Sequence, residues 1–522
     1  HWTLNFWIKR SALGGTNPVT SARPLTWFTP RSGTSGSVLN EFKFCSPTAG
    51  NTAGDSLMIV QTNSNAIVLS TDNVFRDTSA WYNIHIQADL DNGTNSERLK
   101  FFINGTEASY NTDNRGSYTS LSGITAGAWT IGDYHNYGYP IQCYFAQWAY
   151  VDGYTHPPTD FGESKNGVWI PKDLSSGITW GSAGHLLMFQ DSSALGDDTS
   201  GEGNDWAVAN MAAHDQMLDS PTFNSDSNGS NFCTWNPRDI PNGSSTTFTE
   251  GNLAVVTPGS GSFEPAIASF KPSSGKWYWE YRAGQGGGSS YGRPWIAVAQ
   301  SGQAKNADYY GGTNAANVIG VQFNVNDGTK RINNSDSSYG SAVSQNQIVQ
   351  MALDCDNGAI YFGINNTWQA SGDPTSGATK TGAALAAGIA GVNIDIGHAR
   401  YNGGTDVYNF GQDGTYGGAI TAGGNADGNG YGNFSYTPPS GFLALCSANL
   451  PTADAVDPAQ TDDDFPQKLF SATIWTGNNA TGRAITGVGF QPDWIWFKAR
   501  HYDSSHRLYD TSRGIASNGG KR

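Results

Sequence analysis

Short runs in which apolar and polar residues alternate, closed by Asn-Gly or Asp-Gly, recur along this chain and leave little room for any fold but a β one. Early runs are TLNFWIKRS (3–11), AWYNIHIQADL (80–90), RLKFFINGTE (98–107) and CYFAQWAYVDG (143–153). The second and third, joined through Asp89-Leu90-Asp91-Asn92-Gly93, read as neighbouring antiparallel strands of a sheet with one face buried. Composition agrees. Charged residues are only 14% while Gly (66), Trp (17), Tyr (23) and Phe (24) are abundant, unlike the Glu- and Lys-rich surfaces of helices.

A chain of 522 residues exceeds what one core supports, so several domains are expected. The first spans 1–160. From 161 to 246 the periodicity fades into stretches such as DSSALGDDTSGEGNDW (191–206) and Asp219-Ser220-Pro221. This reads as an irregular connector packed along its neighbours through Trp169, Trp180, Leu186, Phe189 and Trp206. Strand signals return over 247–451 in GKWYWE (275–280), RPWIAVAQ (293–300), NVIGVQFNVNDG (317–328) and QIVQMALDCDNGAIYFGINNTW (347–368), a spacing that suits a β-sandwich. The acidic stretch TADAVDPAQTDDDFP (452–466) reads as a linker. Residues 467–522 read as a partial third β unit containing ITGVGFQPDWIWFKAR (485–500). The chain opens inside a strand pattern and this third pattern stops early, so the native protein is expected to extend further at both ends.

Net charge of −15 without a basic cluster disfavours nucleic acid and anionic membranes as partners. Nothing resembles a signal peptide or a membrane span. The five cysteines, Cys45, Cys143, Cys233, Cys355 and Cys446, are far apart and form no C-x-x-C pair. They read as free thiols of a protein that folds in a reducing cytoplasm.

The chemistry-bearing motifs argue against catalysis. A β-fold glycosidase needs two carboxylates on one strand face, typically E-x-D-x-x-E, and the strand that would carry them reads NIHIQADL. The elbow Gly288-Ser289-Ser290-Tyr291-Gly292 lies in a Gly/Ser run without its strand-to-helix setting. No H-E-x-x-H occurs, and no cofactor is expected beyond calcium. Asp89-Leu90-Asp91-Asn92-Gly93 and Asp354-Cys355-Asp356-Asn357-Gly358 look like openings of calcium loops, but Lys100 and Asn365 stand where an EF-hand needs Glu. Their other reading is as hairpin turns. Asp191, Asp197, Asp198, Glu202 and Asp205 offer oxygens for calcium, or form a solvated acidic loop. Tyr134, His135, Tyr137 and Tyr139 suit stacking on sugar rings, or packing at a domain edge or subunit interface.

FRDTSAWYNIHIQADLDNGTNSERLKFFINGTE (75–107) and FAQWAYVDGYTHPPTDFGE (145–163) resemble the central hairpin and exit strand of concanavalin-like or laminin-G-like jelly rolls in phage proteins. Residues 250–411 resemble a SPRY domain through GKWYWE (275–280), VIGVQFNVNDG (318–328), DCDNGAIYFGINNTW (354–368) and NFG (409–411). PPSGFLALCSANLP (438–451) and ITGVGFQPDWIWFKAR…RLYDTSRG (485–514) are similar to segments that follow such modules in tail-fibre and other virion proteins of tailed phages, marine ones particularly. The resemblance implies an all-β, non-enzymatic bacteriophage virion protein, a fibre or appendage subunit made in the host cytoplasm. Its implied partners are itself, as a homo-oligomer and by expectation a trimer, other virion proteins and a host surface glycan. A bacterial cell-surface carbohydrate-binding adhesin is the alternative. A polysaccharide depolymerase lacks its carboxylate pair.

Overall fold

The computed structural model describes residues 1–13, 25–30, 40–45, 55–61, 66–118, 121, 129–133, 141–165, 168–221, 229–240, 245–259, 263–284, 292–298, 319–333, 335–450, 470–478, 481–499 and 505–512. These hold strands and short 3-10 helices and no α-helix, as the alternation requires. The chain divides into two compact units, residues 1–163 with 170–451, and residues 164–169 with 452–522.

The first unit opens with two six-stranded sheets. One orders β14 (His185–Leu187), β11 (Cys143–Asp152), β1 (Trp2–Arg10), β6 (Trp81–Ala88), β7 (Leu99–Ile103) and β8 (Thr106–Glu107). The other orders β10 (Trp129–Ile131), β2 (Leu25–Pro30), β3 (Asn40–Cys45), β4 (Ser56–Gln61), β5 (Ala66–Val74) and β9 (Tyr110–Asp113). Alternate residues of β1 (Trp2, Leu4, Phe6 and Ile8) meet Trp27, Phe42 and Ile59 of the facing sheet in one core. The expected pairing of 80–90 with 98–107 is the β6–β7 ladder, in register from Ile84↔Ile103 to Ala88↔Leu99. At the β7–β8 turn Asn104 and Gly105 both take positive φ (47° and 77°), the backbone that makes Asn-Gly the preferred two-residue hairpin.

The expectation of one solvated face fails at β1, where all nine residues are buried. Thr3 donates to the Tyr154 carbonyl (3.1 Å) and accepts from the His156 amide (2.9 Å), while Lys9 donates to Asp219 and to the Phe232 carbonyl. The stretch after 160 is also more regular than its composition suggests. It supplies β14 to the first sheet, and Phe161, Leu174, Trp180 and Leu186 pack against Ala149 and Val151 on that sheet's outer side. Phe189 and Trp206 are partly buried against the first core. β12 (Gly162–Lys165) and β13 (Val168–Pro171) pair only with each other.

The second sandwich repeats the plan. One sheet runs β15 (Thr247–Thr249), β16 (Ala254–Thr257), β27 (Gly404–Asn409), β18 (Lys276–Arg282), β23 (Ile348–Asp354), β24 (Ala359–Ile364) and β25 (Thr367–Trp368), with β28 (Leu443–Ala444) parallel to β18. Facing it are β17 (Phe263–Ile267), β26 (Ile394–Tyr401), β19 (Arg293–Val298), β20 (Gly320–Asn324), β21 (Thr329–Ile332) and β22 (Ser335–Ser338). Trp277, Trp279 and Tyr281 of β18 point into the core between the sheets. Tyr278 on its other face packs with Phe434, Phe442 and Ala444, so residues 410–450 form a further layer over this sheet.

In the second unit β29 (Trp494–Phe497) pairs antiparallel with β30 (Arg507–Asp510). Phe497 meets Trp475 edge-on (5.6 Å) and Tyr509 (5.8 Å) on one face of the hairpin. On the other face Trp494, Trp496 and Leu508 are exposed.

Candidate functional site

A dense buried polar constellation lies inside the first unit, where the two sandwiches meet. β1 delivers Lys9 on the face away from its own core, and the residues before the second sandwich deliver Asp219, Asn231 and Phe232. The Lys9 ammonium donates to Asp219 Oδ2 (2.8 Å), Asn231 Oδ1 (2.8 Å) and the Phe232 carbonyl (2.9 Å), using all three of its hydrogens. Lys9 and Asp219 side chains are only 1% and 0% exposed. Asp219 Oδ1 accepts from the Trp81 indole (2.8 Å), and Asn231 Nδ2 donates to the Ser79 carbonyl (2.7 Å). Burial holds the Asp219 carboxyl above its ordinary range, against the opposing pull of Lys9 and the indole. The ammonium also stands 5.5 Å from the centre of the Tyr144 ring, and the Tyr144 hydroxyl donates to the Gly251 carbonyl (2.7 Å). These bonds join strands of the first sandwich to the entry of the second.

Two further buried carboxylates are saturated from within. Glu280 accepts from the hydroxyls of Tyr278 (2.6 Å) and Tyr416 (2.7 Å) and from the amides of Ser435 (2.9 Å) and Tyr436 (3.0 Å). Asp406 accepts from Arg400 (2.5 Å) and the Gly284 amide (2.8 Å), and its Oδ2 lies 3.1 Å from His398 Nε2. His398 Nδ1 is in turn 2.7 Å from the Tyr408 hydroxyl. All four side chains of this cluster are fully buried.

The acidic residues suggested for calcium do not converge. Asp191 Oδ1 accepts from the amide and hydroxyl of Ser193 (2.8 and 2.6 Å), closing a local turn. Asp198 accepts from the amides of Leu186, Ser200 and Asn204 (2.8–2.9 Å) and the Ser200 hydroxyl (2.9 Å), while Asp205 accepts from the Asp198 amide (2.9 Å). Burial works against these donors, but together they hold Asp198 below the usual carboxylate range. Asp197 and Glu202 add no shared coordination: among the described residues no three His, Cys, Asp or Glu stand close enough to hold a metal ion. The oxygens are spent folding the loop onto β14. Asp198→Ala should therefore cost about 1–3 kcal/mol in chemical denaturation, and millimolar calcium should leave the melting temperature of the intact chain unchanged.

The two Asp-Asn-Gly motifs are turns. Asp354 accepts from the Asn357 amide and side chain (both 2.8 Å), and Asp89 from the Asn92 side chain (2.9 Å). Tyr134, His135, Tyr137 and Tyr139 lie outside the described residues, as do Gly288, Ser289, Ser290 and Tyr291 of the elbow. Cys143, Cys233, Cys355 and Cys446 are free thiols.

Sequence reasoning did not single out Lys9, Asp219 or Asn231. The one local signal was the Lys-Arg pair that closes β1; the partners lie 210 and 222 residues away.

Residues 465–518 match a family described as a domain of unknown function, DUF7483. No curated protein matches the chain. Among solved structures the chain is similar to the SPRY domain of human HERC1, at 14% identity over 33% of this chain and 96% of that one, with a TM-score of 0.26. It is also similar to the TRIM65 PSpry domain (14%, 34% and 89%, TM-score 0.24) and to stonustoxin (12%, 34% and 27%, TM-score 0.23). No described helix is long and apolar enough to cross a membrane.

Proposed function

We propose that the chain is a non-catalytic structural subunit of a bacteriophage particle, a fibre or appendage component whose tandem sandwiches serve as a stiff spacer and as a surface for the host or for other virion proteins. The observation that carries this reading is the junction at Lys9. A buried polar cluster fastens one sandwich to the next, and the carboxylates of Asp198, Asp219, Glu280 and Asp406 are all spent on internal donors. The virion assignment itself rests on the resemblance of the modules in their order.

Self-assembly fits the second unit. Trp494 (52% exposed), Trp496 (57%) and Leu508 (36%) line one face of its hairpin, an apolar strip of the kind subunit contacts bury. Residues 465–522 hold eight Lys and Arg against three Asp in a chain of net charge −15, so the acidic remainder of a second copy complements them. The purified chain should behave in multi-angle light scattering as a homotrimer of 55.6 kDa subunits, and Trp494→Ser with Trp496→Ser should shift it to monomer. A strictly monomeric wild-type chain at tens of micromolar would rule out the fibre reading.

A further inference from the structure

The Lys9 junction brings together the three groups that an amide-forming reaction requires: an amine, a carboxamide and a carboxyl able to carry a proton. We propose that Lys9 and Asn231 become joined by an intramolecular amide bond between Nζ and Cγ, with Asp219 as the proton carrier, tying the first strand of the first sandwich covalently to the entry of the second. This inference does not depend on the virion reading.

The carboxamide and the carboxyl both stand within hydrogen-bonding reach of the one lysine nitrogen. Lys9 Nζ lies 2.8 Å from Asn231 Oδ1, which places the carboxamide carbon one carbonyl bond, about 1.2 Å, from an atom the amine already touches. The Ser79 carbonyl holds Asn231 Nδ2 at 2.7 Å and so fixes the carboxamide with its carbonyl end towards the lysine. Asp219 Oδ2 is 2.8 Å from the same Nζ, and Trp81 pins the other carboxylate oxygen. The lysine and carboxylate side chains are kept from water, with the Trp81 indole on the carboxylate and the Tyr144 ring centre 5.5 Å from the ammonium. Asn231 itself is half-buried, which gives a leaving group a way out.

The step balances without an oxidant or co-reactant. A proton passes from the Lys9 ammonium to Asp219, since a desolvated ion pair can relieve the cost of burial by neutralising itself. The Nζ lone pair then adds to Asn231 Cγ. Asp219 gives its proton to Nδ2 and takes one from Nζ as the Cγ–Nδ2 bond breaks, so ammonia departs, one C–N bond has replaced another and Asp219 ends as it began the attack, protonated. Burial that raises the Asp219 carboxyl favours the protonated form the sequence needs. The result is a redox-independent cross-link in a chain whose Cys143, Cys233, Cys355 and Cys446 are free thiols.

Intact-mass spectrometry of the denatured wild-type chain tests this directly. The expected mass is about 17 Da, one ammonia, below that of the sequence, and fragmentation should yield a branched peptide joining the segments around Lys9 and Asn231. Lys9→Arg and Asn231→Ala should each restore the full mass, and Asp219→Ala should abolish or strongly slow the loss. The Lys9→Arg control also excludes succinimide at the Asn-Gly turns, which loses the same mass but does not need Lys9. The wild-type measurement stands whether or not a variant folds. A wild-type chain at full mass after prolonged incubation would overturn the proposal. So would a loss of about 18 Da, one water, which would put the bond on Asp219 instead.

Discussion

Glu280→Ala should destabilise the second sandwich by about 3–5 kcal/mol, read as a lowered denaturant midpoint of its unfolding transition. The carboxylate is fully buried on β18 and takes four hydrogen bonds, two from tyrosine hydroxyls and two from the backbone of residues 435 and 436. Burial raises its pKa, and the same four donors pull it back down. Alanine would leave the Ser435 and Tyr436 amides and the Tyr278 and Tyr416 hydroxyls facing a cavity, a far larger penalty than the loss of the bonds themselves. Because three of those donors, Tyr416, Ser435 and Tyr436, belong to the layer formed by residues 410–450, that layer should loosen first, with faster amide exchange there than in β23 or β24. Glu280→Gln keeps the volume and one acceptor and should cost less. A midpoint unchanged in the alanine variant would mean that the layer is held by its apolar contacts alone.

Acid should begin to destabilise the first sandwich at pH values above the range in which surface carboxylates are protonated. Burial pushes His85 down to about 3 and His185 down to about 4. His85 Nε2 lies 3.0 Å from the His156 carbonyl, so the neutral ring carries its hydrogen there. Charging it would place a second N–H on Nδ1, which has no partner among the described residues. The neighbouring groups are the rings of Phe102 and Phe161, with His156 itself paired to Asp160 at 2.8 Å. Unfolded, the imidazole titrates near 6.5, so between that value and the folded one the unfolded chain binds the extra proton. The stability that comes from keeping His85 neutral is complete above pH 6.5 and is lost as pH falls towards 3, on the order of 4 kcal/mol in all. Melting temperature followed from pH 7 to pH 3 should fall across this window, and His85→Gln should flatten the slope. An equal slope in both proteins would remove His85 from the account.

The sequence makes the sheets legible wherever neighbours in space are near in sequence. The β6–β7 ladder and the β23–β24 hairpin follow from alternation and from Asp-Asn-Gly turns, because those signals are local. The outer face of β1 is not legible in this way. Thr3 and Lys9 occupy the polar half of an amphipathic strand, and alternation assigns that half to solvent; their partners, Tyr154 and His156 for Thr3 and Asp219, Asn231 and Phe232 for Lys9, lie in stretches with no periodic pattern of their own. β14 escaped for a different reason, since three residues are too few to show a period. The acidic loop shows the limit of composition. Five carboxylates in fifteen residues look like a cation site, yet Asp198 alone is occupied by three amides and a hydroxyl.

The position of β1 also governs what can happen while the chain is being made. Its hydrogen-bonding neighbours are β6 and β11, and β11 ends at Asp152, so the first strand waits with open edges through most of the synthesis of its own domain. Lys9 waits longer still, until Phe232 has emerged. At translation rates of about 5–20 residues per second that interval is roughly 10–50 s. Until β11 has emerged, a strand led by Trp2, Leu4, Phe6 and Ile8 is open to pairing with other nascent chains on the same message. Crowded polysomes should therefore aggregate more readily than dilute ones, and slow initiation should raise the yield of folded protein.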